Sequence, residues 1–218
     1  MPIENKNKTN ITLSMPVAYK AGTVADALVH RGFAHVTGLL EEALFHQLRA
    51  ELIALDAQDQ LDRAGIGRGD DFTVKTAVRG DYTKWIDGDT LAECLLLERL
   101  EQVRLEMNEQ LMLGLFEVEA HYAAYPPGSF YARHTDSFRG AKNRILSLVM
   151  YLNPDWRAEE GGLLTLFADE AAQRPFTAVR PELGHAVLFL SEEMPHEVTK
   201  AQRSRYSIAA WYHCHQPL

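Results

Sequence analysis

Cysteine is scarce in this chain, with Cys94 and Cys214 the only two among 218 residues. Two cysteines so far apart make no disulfide framework, so the fold has to rest on a buried core, and a reducing cytoplasmic setting is expected. Positive charge is also in short supply, with 22 Lys and Arg against 30 Asp and Glu and a formal net charge of −8. That balance offers no general attraction to a phosphate backbone, so nucleic acid is not an expected partner. Long apolar runs are missing too, since none approaches the roughly 18 residues of a membrane span. No membrane partner is expected. The polar start from Met1 to Met15 lacks the apolar stretch and small-residue cleavage site of a secretory signal, and residues 1–20 are expected to form a flexible tail. With no internal repeat, residues 21–218 are expected to form a single domain.

What is present divides into helical and strand-like halves. Leu39, Leu40, Leu44, Leu48 and Leu52 recur mainly at four-residue steps, so an amphipathic helix is expected within a supporting helical region at 22–57. A second supporting helix is expected at 90–114, where Thr90 and Glu93 have capping-box spacing. Leu96, Leu100, Val103, Met107 and Leu111 form its apolar stripe, and Gly114 ends it. Between the two, Gly65 to Gly88 is polar and aperiodic apart from runs at Phe72–Val74 and Lys84–Ile86, which predicts a hairpin with mobile loops. From residue 118 to 213 the texture changes to short apolar or alternating runs separated by Pro126-Pro127-Gly128, Asn153-Pro154-Asp155 and Gly161-Gly162. This is strand-and-hairpin punctuation. Helices followed by about eight short strands predict a mainly β fold with supporting α-helices, a double-sheet jelly roll. The alternative is a generic α+β fold with its histidines buried separately.

One constellation stands out against this background. His134-Thr135-Asp136 closes a strand-like run, so alternation places His134 and Asp136 on one side and Thr135 on the other. His196 lies in a later run, and Arg205 follows nine positions on. Singly, each of these is unremarkable: a lone triplet is about what chance supplies, a histidine in an apolar strand is usually a core residue, and a strand arginine is usually a surface charge. The joint order reverses that preference. Two imidazoles and one carboxylate on one face of an octahedral ion are the ligand set of non-haem Fe(II) oxygenases, whose open positions take an organic acid and dioxygen. Arg205 carries a planar fork matched to a carboxylate, and its expected role is to hold the far end of 2-oxoglutarate. Other patterns carry less: His213-Cys214-His215 lacks further cysteine partners, and Gly65-Ile66-Gly67-Arg68-Gly69 lacks the lysine and helix of a phosphate loop.

In fuller extent the chain resembles the prolyl hydroxylase domain oxygenases, a family that includes the oxygen-sensing enzymes of the hypoxia-inducible-factor pathway and their bacterial relatives. The resemblance covers roughly residues 65 to 213. It is carried by Val78-Arg79-Gly80-Asp81, Lys84-Trp85-Ile86-Asp87-Gly88 and Tyr131-Ala132-Arg133-His134-Thr135-Asp136. Further on it includes Tyr151-Leu152-Asn153-Pro154-Asp155-Trp156, Gly161-Gly162-Leu163-Leu164, and Pro195-His196-Glu197-Val198 through Arg205-Tyr206 to Trp211-Tyr212.

The resemblance implies a double-stranded β-helix that uses Fe(II), 2-oxoglutarate and O2, with ascorbate as an accessory reductant. It implies a prolyl 4-hydroxylase that couples oxidative decarboxylation of 2-oxoglutarate, to succinate and CO2, with hydroxylation of a proline in a protein. His134, Asp136 and His196 would be the metal ligands. Arg205 and Tyr151 would hold the cosubstrate's distal carboxylate, and Tyr125 would line that end. Tyr131, Arg144 and Trp211 would shape the proline pocket, and Asp81 would lie in a mobile hairpin closing over the peptide, with Gly80 and Gly88 giving it freedom. Bacterial members imply elongation factor Tu as the protein partner, and animal members a transcription-factor peptide. The chain departs from the pattern at Ala209, where the animal enzymes carry a hydroxyl, and in a spacing from Asp136 to Arg144 one residue longer than expected. Two other functions are consistent with the same residues: a 2-oxoglutarate oxygenase acting on a free amino acid or other small molecule, and a non-catalytic module that senses iron or 2-oxoglutarate.

Overall fold

The computed structural model describes residues 11–64, 78–137 and 144–215. Two sheets face one another. The larger has eight strands in the order β1 (Val17–Ala18), β2 (Phe33–Thr37), β10 (His185–Leu190), β7 (Arg144–Tyr151), β12 (Arg205–Cys214), β5 (Leu115–Tyr125), β4 (Tyr82–Trp85) and β3 (Asp62–Arg63). The smaller has the order β6 (Tyr131–His134), β11 (His196–Val198), β8 (Leu164–Leu166) and β9 (Thr177–Val179). This is the expected double-stranded β-helix, and the strand-like runs read from alternation all appear within a few residues of their expected bounds.

Alternation assigns the two faces of the larger sheet different work. Ala34 and Val36 of β2, Leu146, Leu148 and Met150 of β7, and Ile208, Ala210 and Tyr212 of β12 point outward into one apolar cluster. Three helices cover that face: α1 (Ala21–Arg31), α2 (Glu42–Ala57) and α3 (Leu91–Leu111). They contribute Val24 and Leu28, Phe45, Leu48 and Leu52, and Leu96, Leu100, Val103 and Met107. Burying such side chains contributes about 1.5–3 kcal/mol each and ties the helices to the sheet.

The inner face is set by register. One row runs His35, Val187, Val149, Ala209 and His121, and the next runs Phe33, Phe189, Ser147, Trp211 and Glu119. These rows place Phe33, Val187 and Phe189 against Leu164, Leu166 and Val179 of the smaller sheet. Toward β12 and β5 they are polar, so the space between the sheets stays open at that end.

Three expectations need correction. Residues 11–20 are not tail: Leu13 bridges Ala178 of the smaller sheet, and Val17 and Ala18 pair in parallel with Val36 and Thr37 of the larger one. The segment therefore straps the two sheets together. The helical region 22–57 is interrupted by β2, because Gly32 takes a left-handed conformation (φ 73) that ends α1 and releases Phe33–Thr37 to a sheet edge. Leu39 and Leu40 are buried ahead of α2 rather than within it.

The hairpin read at 65–88 is formed by β3 and β4, and residues 65–77, with the Phe72–Val74 run, lie outside the described residues. Its return segment is tied down rather than free: Ala132 N donates to Val78 O, Gly80 N donates to Phe130 O, and Arg79 bridges Tyr131. The fit at Gly80 is tight, since an added Cβ would sit 3.1 Å from that of Ser129 and one of the two would have to give by a few tenths of an ångström. At the start of α3, Thr90 Oγ1 accepts from Glu93 N as expected, while the Glu93 carboxylate reaches past the cap to accept from Gly88 N and Asp89 N.

Candidate metal centre and its cavity

His134 ends β6 and His196 opens β11, and antiparallel pairing puts them directly opposite one another. Asp136 follows in the turn after β6. Its Oδ1 lies 3.5 Å from His134 Nε2 and 3.8 Å from His196 Nε2, and the three candidate ligand atoms lie within 4.8 Å of one another. A single ion can reach all three.

Backbone and side-chain partners orient the set. Nδ1 of His134 lies 2.9 Å from Ala132 O and Nδ1 of His196 lies 3.0 Å from Met194 O. Each ring thereby spends its Nδ1–H on a carbonyl and turns the Nε2 lone pair toward Asp136, the tautomer a metal needs. Ser147 Oγ, reaching across from β7, donates to Asp136 Oδ2 at 2.7 Å and contacts Ser191 Oγ at 2.8 Å. Burial pushes the Asp136 pKa up, but His196, His134 and the Ser147 hydrogen bond outweigh it and hold the carboxyl well below its usual range. Burial, with His134 beside it, lowers His196 to about 4. An ionised Asp136 carboxylate facing a neutral His196 imidazole suits binding of a divalent cation. Tyr131 stacks on the His134 ring at 3.7 Å, and Phe189 packs against His196 at 4.6 Å.

The triad opens onto a cavity of about 80 Å³. In its wall sits Arg205, the first residue of β12 and only 1% exposed. Its Nε donates to Gly162 O at 2.9 Å and its Nη1 to Ser207 Oγ at 3.1 Å. The guanidinium faces the rings of Tyr125 and Tyr151 at 5.0 and 5.3 Å. No carboxylate partners it among the described residues, and the Tyr151 hydroxyl beside it is buried without a hydrogen-bond partner. Buried cations and buried hydroxyls are normally satisfied, so this pair marks the seat of an anionic group. A dicarboxylate such as 2-oxoglutarate fits that requirement.

Tyr125, Tyr131, Arg144 and Trp211 line the same cavity. Arg144 lies over the Trp211 indole at 4.0 Å. Asp81 does not: it is fully buried, with both oxygens taken by Arg79 at 2.6 and 2.9 Å. A direct substrate contact from Asp81 is therefore corrected, and Arg79 is the member of that pair on the wall. Tyr151 also stands behind the wall. His213 is buried 3.1 Å from Glu119 Oε1, and its neighbourhood holds no metal cluster among the described residues.

Four wall or support residues escaped the sequence reading: Arg79, His121, Ser147 and Ser207. His121 lies between Trp85 and Trp211 at 5.4 and 5.0 Å, and burial followed by nearby Arg79 lowers its pKa to about 4. The two-residue steps Ser207, Ala209, Trp211 and His121, Ala123, Tyr125 were the available signal, since each triple alternates onto one face. Ala209 is itself in the wall.

Residues 120–213 match the family model described as the 2OG-Fe(II) oxygenase superfamily. The chain is similar to a crystal structure of a prolyl-4-hydroxylase from Pseudomonas putida, with 37% sequence identity, a TM-score of 0.80, and coverage of 88% of this chain and 98% of that one. A prolyl hydroxylase from Trichoplax adhaerens, solved with a hypoxia-inducible-factor peptide fragment, matches at 25% identity and a TM-score of 0.76, covering 88% of each chain. Among curated proteins, human Egl nine homolog 1 is 33% identical over 147 residues, 62% of this chain. The match spans a third of that relative's own length.

Proposed function

The chain belongs to the 2OG-Fe(II) oxygenase superfamily, in its prolyl-hydroxylase-like branch, and we propose on that basis that it is a protein prolyl 4-hydroxylase. The observation that carries the reading is the shared cavity. A three-ligand metal face, a buried arginine with no carboxylate partner among the described residues, and an aromatic floor meet there without a second base or nucleophile being needed.

The residues divide the work. His134, Asp136 and His196 would hold Fe(II), which would supply dioxygen activation coupled to decarboxylation of 2-oxoglutarate. Arg205 takes the cosubstrate's distal carboxylate, backed by the Tyr151 hydroxyl behind the wall, with Tyr125 closing that end and Ser207 keeping Arg205 in line. Ser147 fixes the Asp136 carboxylate so that its other oxygen stays directed at the ion. Tyr131 and Trp211 supply flat apolar faces suited to a pyrrolidine ring, and Arg144 sits at the same end. Phe189, Tyr131 and the surrounding apolar wall limit water near the metal.

The substrate in this reading is a proline within a protein, which is supported by the likeness to the Trichoplax prolyl hydroxylase solved with a hypoxia-inducible-factor peptide fragment. Elongation factor Tu is the first target to assay. Cys94 and Cys214, too few for a disulfide framework, fit a reducing cytoplasm. The test is peptide mass spectrometry of proteins treated with the enzyme, Fe(II), 2-oxoglutarate and isotopically heavy dioxygen. Incorporation of one labelled oxygen into a prolyl residue, lost when either cofactor is withheld, is expected. Succinate release with labelling only of a free amino acid or small molecule would overturn the proposal, as would 2-oxoglutarate binding with no succinate formed.

A further inference from the structure

Glu119 stands in register with Trp211 on the neighbouring strand, outside the cavity wall. Its Oε1 accepts from Arg144 Nη2 at 2.7 Å and lies 3.1 Å from Nε2 of buried His213. Arg144 in turn lies across the Trp211 indole at 4.0 Å. An arginine at a cavity mouth, with its long flexible stem, samples many orientations. A carboxylate anchored beside the indole selects one of them.

We propose that Glu119 is a positioning residue for the substrate end of the cavity. It holds the Arg144 guanidinium over one face of Trp211, so that an incoming segment meets the uncovered part of the indole beside a fixed fork of N–H donors. The uncovered indole surface suits an apolar ring, and the remaining donors suit backbone carbonyls flanking that ring. Because Glu119 offsets the charge of Arg144, the mouth does not act as a general trap for anions, whereas Arg205 deeper in the wall remains free to hold one. That the entering segment bears a proline rests on the proposed hydroxylase function, while the clamp itself does not.

The experiment uses the full chain loaded with Zn(II) and 2-oxoglutarate, labelled with fluorotryptophan and followed by fluorine NMR. The three tryptophans are assigned by substitution, Trp211→Phe among them. Glu119→Gln and Arg144→Gln should each move the Trp211 resonance and leave that of Trp156 in place. The double variant should move it no further than Arg144→Gln alone, because the two act as a unit. Kinetically, Glu119→Gln should raise the KM for a responsive protein target about tenfold, as expected for loss of a charge-assisted contact, with kcat at saturation within about twofold. Glu119→Asp should recover part of that loss. An unmoved Trp211 resonance, additive shifts in the double variant, or a fall in kcat with KM unchanged would overturn the proposal. If no protein target responds, the hydroxylase reading fails, and the fluorine cycle still decides the clamp.

Discussion

Replacing Arg205 with methionine should produce two effects of opposite sign. The side chain is 1% exposed, has no acidic partner among the described residues and spends two N–H groups on Gly162 O and Ser207 Oγ. Its remaining donors await a ligand. A buried charge without a counter-ion costs several kcal/mol of desolvation, part of which the Tyr125 and Tyr151 rings return. Methionine keeps much of the volume and removes the charge, so the ligand-free protein should become more stable, by about 1–3 kcal/mol. Meanwhile 2-oxoglutarate loses charge-assisted hydrogen bonds of roughly 1.5–3 kcal/mol, a ten- to hundredfold weakening. Denaturant unfolding without ligand, together with calorimetric titration of 2-oxoglutarate into the Mn(II)-loaded protein under anaerobic conditions, measures both effects. In the parent, saturating 2-oxoglutarate should add stability through binding linkage, and in Arg205→Met that gain should largely vanish. A variant less stable than the parent, with unchanged affinity for 2-oxoglutarate, would show that Arg205 is a structural cation and refute the reasoning.

Ser147→Ala removes the hydroxyl that holds Asp136 Oδ2, and metal affinity should fall about 10–100-fold in a fluorescence or calorimetric titration with little change in overall fold. Gly161→Ala should cost several kcal/mol in chemical denaturation, because the residue has φ 66 and an added Cβ would run into the Lys200 carbonyl. His35 is buried against His185, with its pKa lowered from 6.5 to about 4 by burial and then by that neighbour. The unfolded chain therefore takes up the proton first, and stability present above pH 6.5 is lost as pH falls toward 4. His35→Gln should reduce the slope of stability against pH in that window by about 1.4 kcal/mol per unit, measured by urea titrations at several pH values.

Much of this was legible in advance because it is local. Alternation alone placed the strands from residue 118 onward, since one face of each had to meet the core. The capping signal at Thr90 placed the start of α3. The two-residue step from His134 to Asp136 kept both within reach of one ion, although Asp136 lies in the turn after β6. Elsewhere, local signals misled. Val17–Ala18 is too short to read as a strand and is one only because the edge of β2 lies open beside it. Phe33–Thr37 was absorbed into a helical region although Gly32 marked the break. Asp81 looked like a loop residue because nothing nearby in sequence indicated that Arg79 would take both of its oxygens in a buried ion pair.

Chain order and residue chemistry by themselves determined the candidate ligands, the arginine suited to a carboxylate and the class of fold, because strand period and ligand type are properties of short segments. Only tertiary structure decided that His196 would stand opposite His134, that Ser147 from β7 would hold Asp136, and that Arg205 would be buried beside the Tyr151 phenol with no counter-ion among the described residues. Those outcomes depend on register between strands far apart in sequence, where a slip of one residue would turn each of these side chains to the opposite face.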